Sequence, residues 1–530
     1  MRQPIRSLSL AVFSLAFSFS APAQVSANRD VQAAPSLILL ITADQFRADY
    51  LDRFASQLTG GLARITRGGA WFTNAHHDHA ITETAPGHAT LLSGRFPRST
   101  GIMSNRTGVD DPASPLVGGG GAGASPVRFQ GTTLVDWLRS ANSQSRSLSV
   151  SMKDRAAILP IGRTRTNVFW YAEDGRFTTS RYYLSELPAW VNKFNARHLP
   201  QSFAGKSWTP LLPDSAYHEP DSVSVEMGGA GFTFPHTLSI DPAQAASEVR
   251  ITPWMDEITL AFALQGLQVL ALGSDPSRTD VVAISLSATD IIGHGFGPDS
   301  KEIHDQVLRL DRELGGFIDS VFKLTDSSHV AIVFVADHGV GTIPELAAKN
   351  GVPGARRVNF SGAREDLHAR AEAAGLDTML VDVDQQVVLA DRNALKGKGA
   401  ALDGVLADFA AAVRAIPGVA RVDRFRDLLH ADTISDPVAR RWVHEFPAAS
   451  NVELVITLST FSTFGGNVAS HGSPYDYDSH VPLIFYGPWF RAGRYPTFVR
   501  TVDLAPTLAT IARVKVGETI DGVGLSAAIK

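Results

Sequence analysis

The chain has 530 residues, 44% of them hydrophobic and 19% charged, with 48 basic residues against 53 acidic ones and a net charge of −5. That balance excludes a largely disordered chain and a polycationic nucleic-acid binder. There is no cysteine. Disulfides, thiolate metal sites and Cys nucleophiles are therefore excluded, and any metal must sit on His, Asp, Glu or hydroxyl oxygen.

Arg2 and Arg6 precede an apolar run from Leu8 to Ala21, and Ala21-Pro22-Ala23 follows. A basic start, a short apolar centre and small residues at the end describe a secretory signal peptide. The run falls short of the ~20 residues needed to span a bilayer as a helix. Removal of residues 1–23 is expected, with Ala27 as a second cleavage position, so the mature chain is expected in the periplasm or secreted. Ile258–Leu272 is also apolar, but Gln265 and Gln268 interrupt it, and no stable membrane insertion is expected.

Three apolar runs then read as buried parallel strands, each leading to an aspartate. Ser36–Thr42 leads to Asp44, Val281–Ser287 to Asp290 and Val330–Val335 to Asp337. Helical patterns lie at Thr132–Ala141, Asp256–Leu272, Ile303–Phe322 and Val502–Val514. Strands alternating with helices predict an α/β fold, a doubly wound and mostly parallel sheet flanked by helices. Ligands bind such sheets outside the carboxyl ends of the strands, where these aspartates gather. Two stretches break the rhythm, at about 177–250 and 340–460, and are read as insertions capping a domain that spans 28–530. The second contains a β-like run (Met379–Leu389), a helix-like run (Lys398–Ile416) and a strand-like run (Asn451–Leu458). The glycine-rich run Gly118–Gly123 lacks the Gly-Lys-Ser/Thr of a phosphate-cradling loop.

The chemistry is concentrated in a few short motifs. Asp290 and His294 are four apart just after a strand, Asp337-His338-Gly339 follows the next strand, and His471-Gly472-Ser473 lies far downstream. With Asp44, these make three Asp and three His on elements expected to converge at one sheet edge. Oxygen and nitrogen donors in that number suit two Zn²⁺ ions, each with about four ligands. A pair of ions roughly 4 Å apart can grip both oxygens of an in-line displacement. Thr84, in Thr82-Glu83-Thr84-Ala85-Pro86-Gly87-His88, precedes a Pro suited to a first helical turn. Its hydroxyl at a helix N-terminus is the candidate nucleophile, with Thr82 and Thr90 as local competitors.

These residues carry a resemblance. Asp44, Thr84-x-Pro-x-His88, Asp290-x-x-x-His294, Asp337-His338-Gly and His471-Gly are similar in order and spacing to the alkaline phosphatase superfamily. The match is to its threonine-nucleophile branch, which holds the nucleotide pyrophosphatase/phosphodiesterases and the PafA/PhoK-type alkaline phosphatases. Asp503-Leu-Ala-Pro-Thr-Leu-Ala resembles the closing helix of that superfamily. The resemblance implies that Asp290, His294 and His471 hold one zinc, and that Asp44, Asp337, His338 and Thr84 hold the other.

The next residues bear on monoester against diester. Lys153 and Arg155 flank Asp154 at the end of the strand-like run Ser147–Met152. Strand alternation predicts them on one face, where two cations would clamp a dianionic phosphoryl group. Asn105 would add an amide donor. Asn plus Lys-x-Arg resembles the monoesterases, whereas the diesterases lack the Lys-x-Arg pair. The expected function is hydrolysis of small phosphate monoesters through a phospho-threonine, with a single chain as the favoured assembly and no nucleic-acid partner. The alternatives are a phosphodiesterase/nucleotide pyrophosphatase of the same superfamily and a non-catalytic exported metal- or phosphate-binding protein. A sulfatase is disfavoured, because no Cys/Ser-x-Pro-x-Arg is found.

His76-His77-Asp78-His79 is dense in ligand-type residues, but in an extended segment successive side chains diverge, so a structural role is expected. His88 is expected to pack or hydrogen-bond within the nucleophile helix. His480 is the rival to His471 for the last zinc position. Trp170, Tyr171, Trp190 and Trp254 fit either a cap lining or a core.

Overall fold

The computed structural model describes Met1 and residues 32–119 and 121–530. The expected targeting segment after Met1 and Gly120 of the glycine-rich run lie outside the described residues. The first strands of the main sheet lie between residues 37 and 335. These are β1 (Leu37–Ala43), β2 (Ala70–His76), β3 (Ser147–Ser151), β4 (Asn167–Tyr171), β5 (Phe177–Thr178), β6 (Asp280–Leu286) and β7 (Val330–Val335). All residues of β1, β6 and β7 are buried, the pattern of strands covered on both faces.

Four further strands lie between residues 381 and 458: β8 (Val381–Asp384), β9 (Val387–Ala390), β10 (Val419–Arg424) and β11 (Val452–Leu458). The chain returns to the main sheet through β12 (His480–Tyr486), β13 (Gly493–Tyr495) and β14 (Val499–Arg500). Among the described residues the main sheet has ten strands, in the order β13-β2-β12-β7-β1-β6-β3-β4-β5, with β14 beside β2. The five strands β7-β1-β6-β3-β4 are parallel. β12 runs antiparallel to its neighbours β7 and β2. The sheet is thus mostly parallel, as expected, with Ile41 in register with both Ile284 and Phe334.

The helices that matter to the site are α1 (Thr84–Leu91), α2 (Leu134–Ala141), α3 (Asp154–Ile158), α4 (Trp254–Val269), α5 (Ala288–Phe296), α6 (Lys301–Leu324), α7 (Gly399–Arg414), α8 (Pro437–Glu445) and α9 (Leu504–Ala512). α2 starts at a capping box, in which the Thr133 and Asp136 side chains satisfy each other's backbone N–H groups. α6 begins at Ser300, whose hydroxyl accepts from the Ile303 N–H. Trp170, Tyr171 and Trp190 are buried in the main core, and Trp254 packs against it.

Two local readings differ from the structure. The run Met379–Leu389 is two strands and not one, because Gln385 turns the chain at φ +51 and pairs β8 with β9 as a hairpin. Lys153 and Arg155 do not sit on an alternating strand. β3 ends at Ser151, Lys153 caps α3 with extended backbone, and Arg155 lies in the first turn of that helix. The pleat stops at Ser151, whose hydroxyl accepts the Lys153 N–H, and a helix starts at Asp154, so alternation never acts on the pair.

Among the described residues a second, four-stranded antiparallel sheet forms in the order β8-β9-β11-β10. A separate cluster of buried side chains lies under it, with Leu402, Leu406 and Phe409 of α7 against Val388, Leu454 and Ile456. Residues 177–250 carry only short elements, including the two-residue strands Ser207–Trp208 and His236–Thr237.

Candidate active site and metal centre

The parallel strands bring their carboxyl ends to one edge, and the side chains just beyond them meet there. Asp44 follows β1, Asp337 follows β7, and Asp290 stands in the first turn of α5, which starts directly after β6. All three carboxylates are buried. Helical spacing sets His294 one turn from Asp290, with Nε2 3.4 Å from Asp290 Oδ1. His471 Nε2 is 3.7 Å from the same oxygen. His338 Nε2 is 3.6 Å from Asp44 Oδ1 and 3.6 Å from Asp337 Oδ2. Among the described residues two groups have ligand atoms close enough to share an ion, Asp290 with His338 and His471, and Asp44 with Asp337 and His338. His338 is common to both, and its ring stacks on His471 at 3.7 Å.

The imidazoles are oriented for ligation. Nδ1 of His294 faces the Ala469 carbonyl at 2.9 Å, that of His338 the Gly339 carbonyl at 2.9 Å, and that of His471 the Thr82 carbonyl at 2.8 Å. A carbonyl only accepts, so each Nδ1 carries a proton, and each Nε2 faces the carboxylate cluster. Metal-binding histidines are usually held this way. Burial, reinforced by neighbouring histidines, keeps the His471 pKa well below the usual imidazole range and the ring neutral.

Charge also favours cations here. Burial, and then Asp290 and Asp337, push the Asp44 carboxyl well above its ordinary pKa. Three buried carboxylates face one ammonium, that of Lys153, whose Nζ lies 2.6 Å from Asp44 Oδ2 and 2.6 Å from Asp290 Oδ2. Asp290 and then Asp44 hold the Lys153 pKa up against burial. Asp44 Oδ1 and His338 Nε2 are buried without a hydrogen-bond partner among the described residues. Such atoms are costly unless something ligates them. Their chemistry fits divalent cations bound through N and O donors.

Thr84 is the first residue of α1 and is buried. Lys153 Nζ lies 3.3 Å from its Oγ1. The helix approaches closely because residue 87 is glycine. A Cβ there would fall 2.2 Å from the Asp337 carbonyl oxygen. His88, one turn in, places Nδ1 2.9 Å from the Thr84 carbonyl and 3.1 Å from Asp337 Oδ2, tying the helix start to the carboxylate. Asn105 Oδ1 accepts from the Ala85 N–H at 2.9 Å, which leaves its NH₂ as the donor available to a ligand. The Asn105 N–H in turn donates to Glu83 Oε2 at 2.6 Å. Arg155 Nε is buried and has no hydrogen-bond partner among the described residues. Asn105, Arg155, His294 and His471 line one cavity of about 530 Å³. Thr82 hydrogen-bonds the Ser473 carbonyl and Thr90 the Gly87 carbonyl, so both hydroxyls are engaged elsewhere.

One contributor escaped the sequence reading. Gln45, at φ +62, donates its backbone N–H to Asp337 Oδ1 at 3.1 Å and its Nε2 to Asp290 Oδ1 at 2.9 Å. It bridges the two donor groups, and Gly293 makes room for it, since a Cβ there would meet Gln45 Oε1 at 2.0 Å. The available cue was its place directly after a strand-terminal aspartate.

The other histidines go elsewhere. His480 stacks on His76 at 4.7 Å and points Nε2 at the Thr73 carbonyl. His77 bonds the Ala336 carbonyl and the Thr501 hydroxyl. Asp78 is gripped by Arg440 and His444 of α8.

A family profile described as type I phosphodiesterase / nucleotide pyrophosphatase matches residues 38–428. The chain belongs to that family. Within it the chain is 29% identical to alkaline phosphatase PafA of Elizabethkingia meningoseptica, over 91% of this chain and 92% of PafA. It is 31% identical to alkaline phosphatase PhoK of Sphingomonas sp, over 92% and 90%. The crystal structure of wild-type PafA superposes with a TM-score of 0.85 at 28% identity, covering 94% of this chain and 99% of that one. The family member is thus of the PafA/PhoK type, with the same α/β architecture. A solved PafA variant is substituted at a threonine and an asparagine 21 residues apart, and at a lysine and an arginine two apart. Thr84, Asn105, Lys153 and Arg155 repeat those residue types and separations.

Proposed function

We propose that this chain hydrolyses phosphate monoesters by transferring the phosphoryl group to Thr84 and then to water. The observation that carries the reading is the Lys153 ammonium 3.3 Å from the Thr84 hydroxyl, with Arg155 and Asn105 on the adjoining cavity. A monoester presents a dianionic phosphoryl group, and two cations with an amide donor match its oxygens. The relatives named alkaline phosphatase support the same activity.

Asp44, Asp337, His338 and Thr84 would hold one divalent cation, and Asp290, His294 and His471 a second. Bound there, such ions, zinc by the donor set, would neutralise charge on the attacking and leaving oxygens and favour the ionised hydroxyl. Gln45 keeps Asp290 and Asp337 in place, and His88 fixes Asp337 against the start of α1. Thr84 Oγ1 attacks phosphorus in line as the bond to the ester oxygen breaks. Lys153, Arg155 and the Asn105 amide hold the remaining phosphoryl oxygens while charge spreads over them. Water then attacks from the vacated side and phosphate leaves, restoring the Thr84 hydroxyl.

The expected signal segment makes the mature chain an exported protein, working as a single chain on small soluble esters. Among the described residues no helix is long and apolar enough to cross a membrane. N-terminal sequencing of the mature protein from a periplasmic or culture fraction tests the export.

The family profile also spans diesterases, so the decisive experiment is a matched pair of assays. Zinc-reconstituted enzyme is expected to turn over a monoester far faster than the corresponding diester, and Lys153→Ala with Arg155→Ala to narrow that ratio. A diester preference in the wild type would replace this reading with a phosphodiesterase. Metal binding without product release would make the chain a binding protein.

A further inference from the structure

Beside the catalytic cavity lies another, of about 310 Å³, between the catalytic core and the inserted sheet. Ile81 and Met103 line it from the core, and Leu389, Phe446 and Val452 from the insertion. Ser450 lines the same wall. The charged pair Arg106 and Asp384 also lines the cavity, and the two are ion-paired with each other.

Four residues line both cavities: Glu83, Asn105, Gln385 and Gln386. That common rim is fastened to the reacting groups. Glu83 precedes Thr84 and accepts the Asn105 N–H. Gln386 Nε2 donates to the Gly472 carbonyl at 3.0 Å, next to His471. The β8–β9 turn of the insertion is thereby docked beside the metal-ligand set.

We propose that this cavity is a subsite for the organic leaving group of the phosphate monoester, and that it takes an aromatic ring. The proposal rests on the monoesterase reading above. The phosphoryl end of a substrate is held by charged groups, so a small polar alcohol gains nothing further from the protein. A ring entering the side cavity would leave water for apolar walls, and its volume is of the size that organic ligands occupy. The Arg106–Asp384 pair is internally neutralised and offers no free cation to a second anionic group.

The test compares 2-phenylethyl phosphate with ethyl phosphate, whose alcohols are of similar leaving ability. Wild-type kcat/KM is expected to favour the phenylethyl ester by on the order of tenfold or more, the value of burying one aromatic ring. Ser450→Phe fills the cavity and Met103→Asp makes it polar; each is expected to bring the ratio close to one. Because the ratio compares two substrates on one preparation, loss of folded protein leaves it unmoved. Equal kcat/KM for the two esters in the wild type, or a preference that survives both substitutions, overturns the subsite and leaves the monoesterase reading standing. Turnover of neither ester overturns the reading on which the subsite rests.

Discussion

Two regions of this chain are rich in histidine and aspartate, and they do opposite things. In the run His76–His79 four such residues are consecutive, and the His77 and His79 rings meet edge to face, yet the four form no common donor group among the described residues. His76 stacks on His480, His77 bonds a carbonyl and a hydroxyl, and Asp78 is held by α8. His79 is buried with neither ring nitrogen hydrogen-bonded among the described residues. At the sheet edge the residues come from four separate segments spread between positions 44 and 471, yet Asp44, Asp290, Asp337, His294, His338 and His471 aim at common points. Density along the chain is therefore a poor guide to density in space. Consecutive side chains on an extended strand diverge, while parallel strands deliver their ends to one place.

If that contrast is right, the largest effect belongs to the hydroxyl at the centre of the sheet-edge cluster. Thr84→Ala is expected to lower kcat on a monoester by on the order of 10³-fold or more, as loss of a nucleophile does. Steady-state turnover at saturating metal checks this, and a near-native rate would remove Thr84 from its role. Next comes the clamp. Lys153→Ala and Arg155→Ala should each cost about 10²–10³-fold in kcat, comparable to removing an oxyanion donor, with a smaller loss on a diester. Equal losses on both substrates would assign the two residues to general stability.

Gln45→Ala sharpens the comparison at the level of support. It leaves every proposed ligand in place but removes the amide that holds Asp290. About a 10- to 100-fold loss of metal affinity or activity is expected, read by titrating the chelator-treated protein with zinc. Elemental analysis of the active wild type should give two divalent ions per chain.

The smallest effect on catalysis, and the clearest on stability, is expected in the His76–His79 run. Although burial opposes it, His444 and Arg440 hold the Asp78 pKa down to about 2 from 3.8. A depressed folded-state pKa stabilises the fold above the unfolded value and loses that stabilisation as pH falls through the folded one. Roughly 2 kcal/mol is therefore present at neutral pH and disappears between about pH 4 and pH 2. Denaturant unfolding of Asp78→Asn should show a lower stability at pH 7 that converges with wild type near pH 2. The folded variant should keep its activity on a monoester. Loss of activity without loss of stability would move this segment into the active site.

Much of this organisation was legible in the sequence, for identifiable reasons. Aliphatic runs such as Leu37–Ala43 and Val330–Val335 are too continuous for amphipathic elements, so buried parallel strands and their order of appearance could be read directly. The donor set, the threonine before Pro86 and the Lys153–Arg155 pair were all visible as short motifs. Less legible was the local backbone. Asp154 starts a helix where alternation had been expected, and Gln385 folds one apparent strand into a hairpin. Gln45 was not visible as part of the site at all, since its amide acts only because β6 and β7 flank β1.

Residue types and spacing by themselves determined the α/β class and the candidate ligands, because each donor must be of a given chemistry and each strand must be apolar to be buried, and the resemblance those motifs carry implied the kind of reaction. Only the tertiary structure decided which nitrogen of each imidazole faces the carboxylates, that His338 belongs to both donor groups, and that the inserted hairpin docks beside His471. Those are consequences of distance and direction between segments far apart in the chain, and pairwise geometry of that kind has no signature in local sequence.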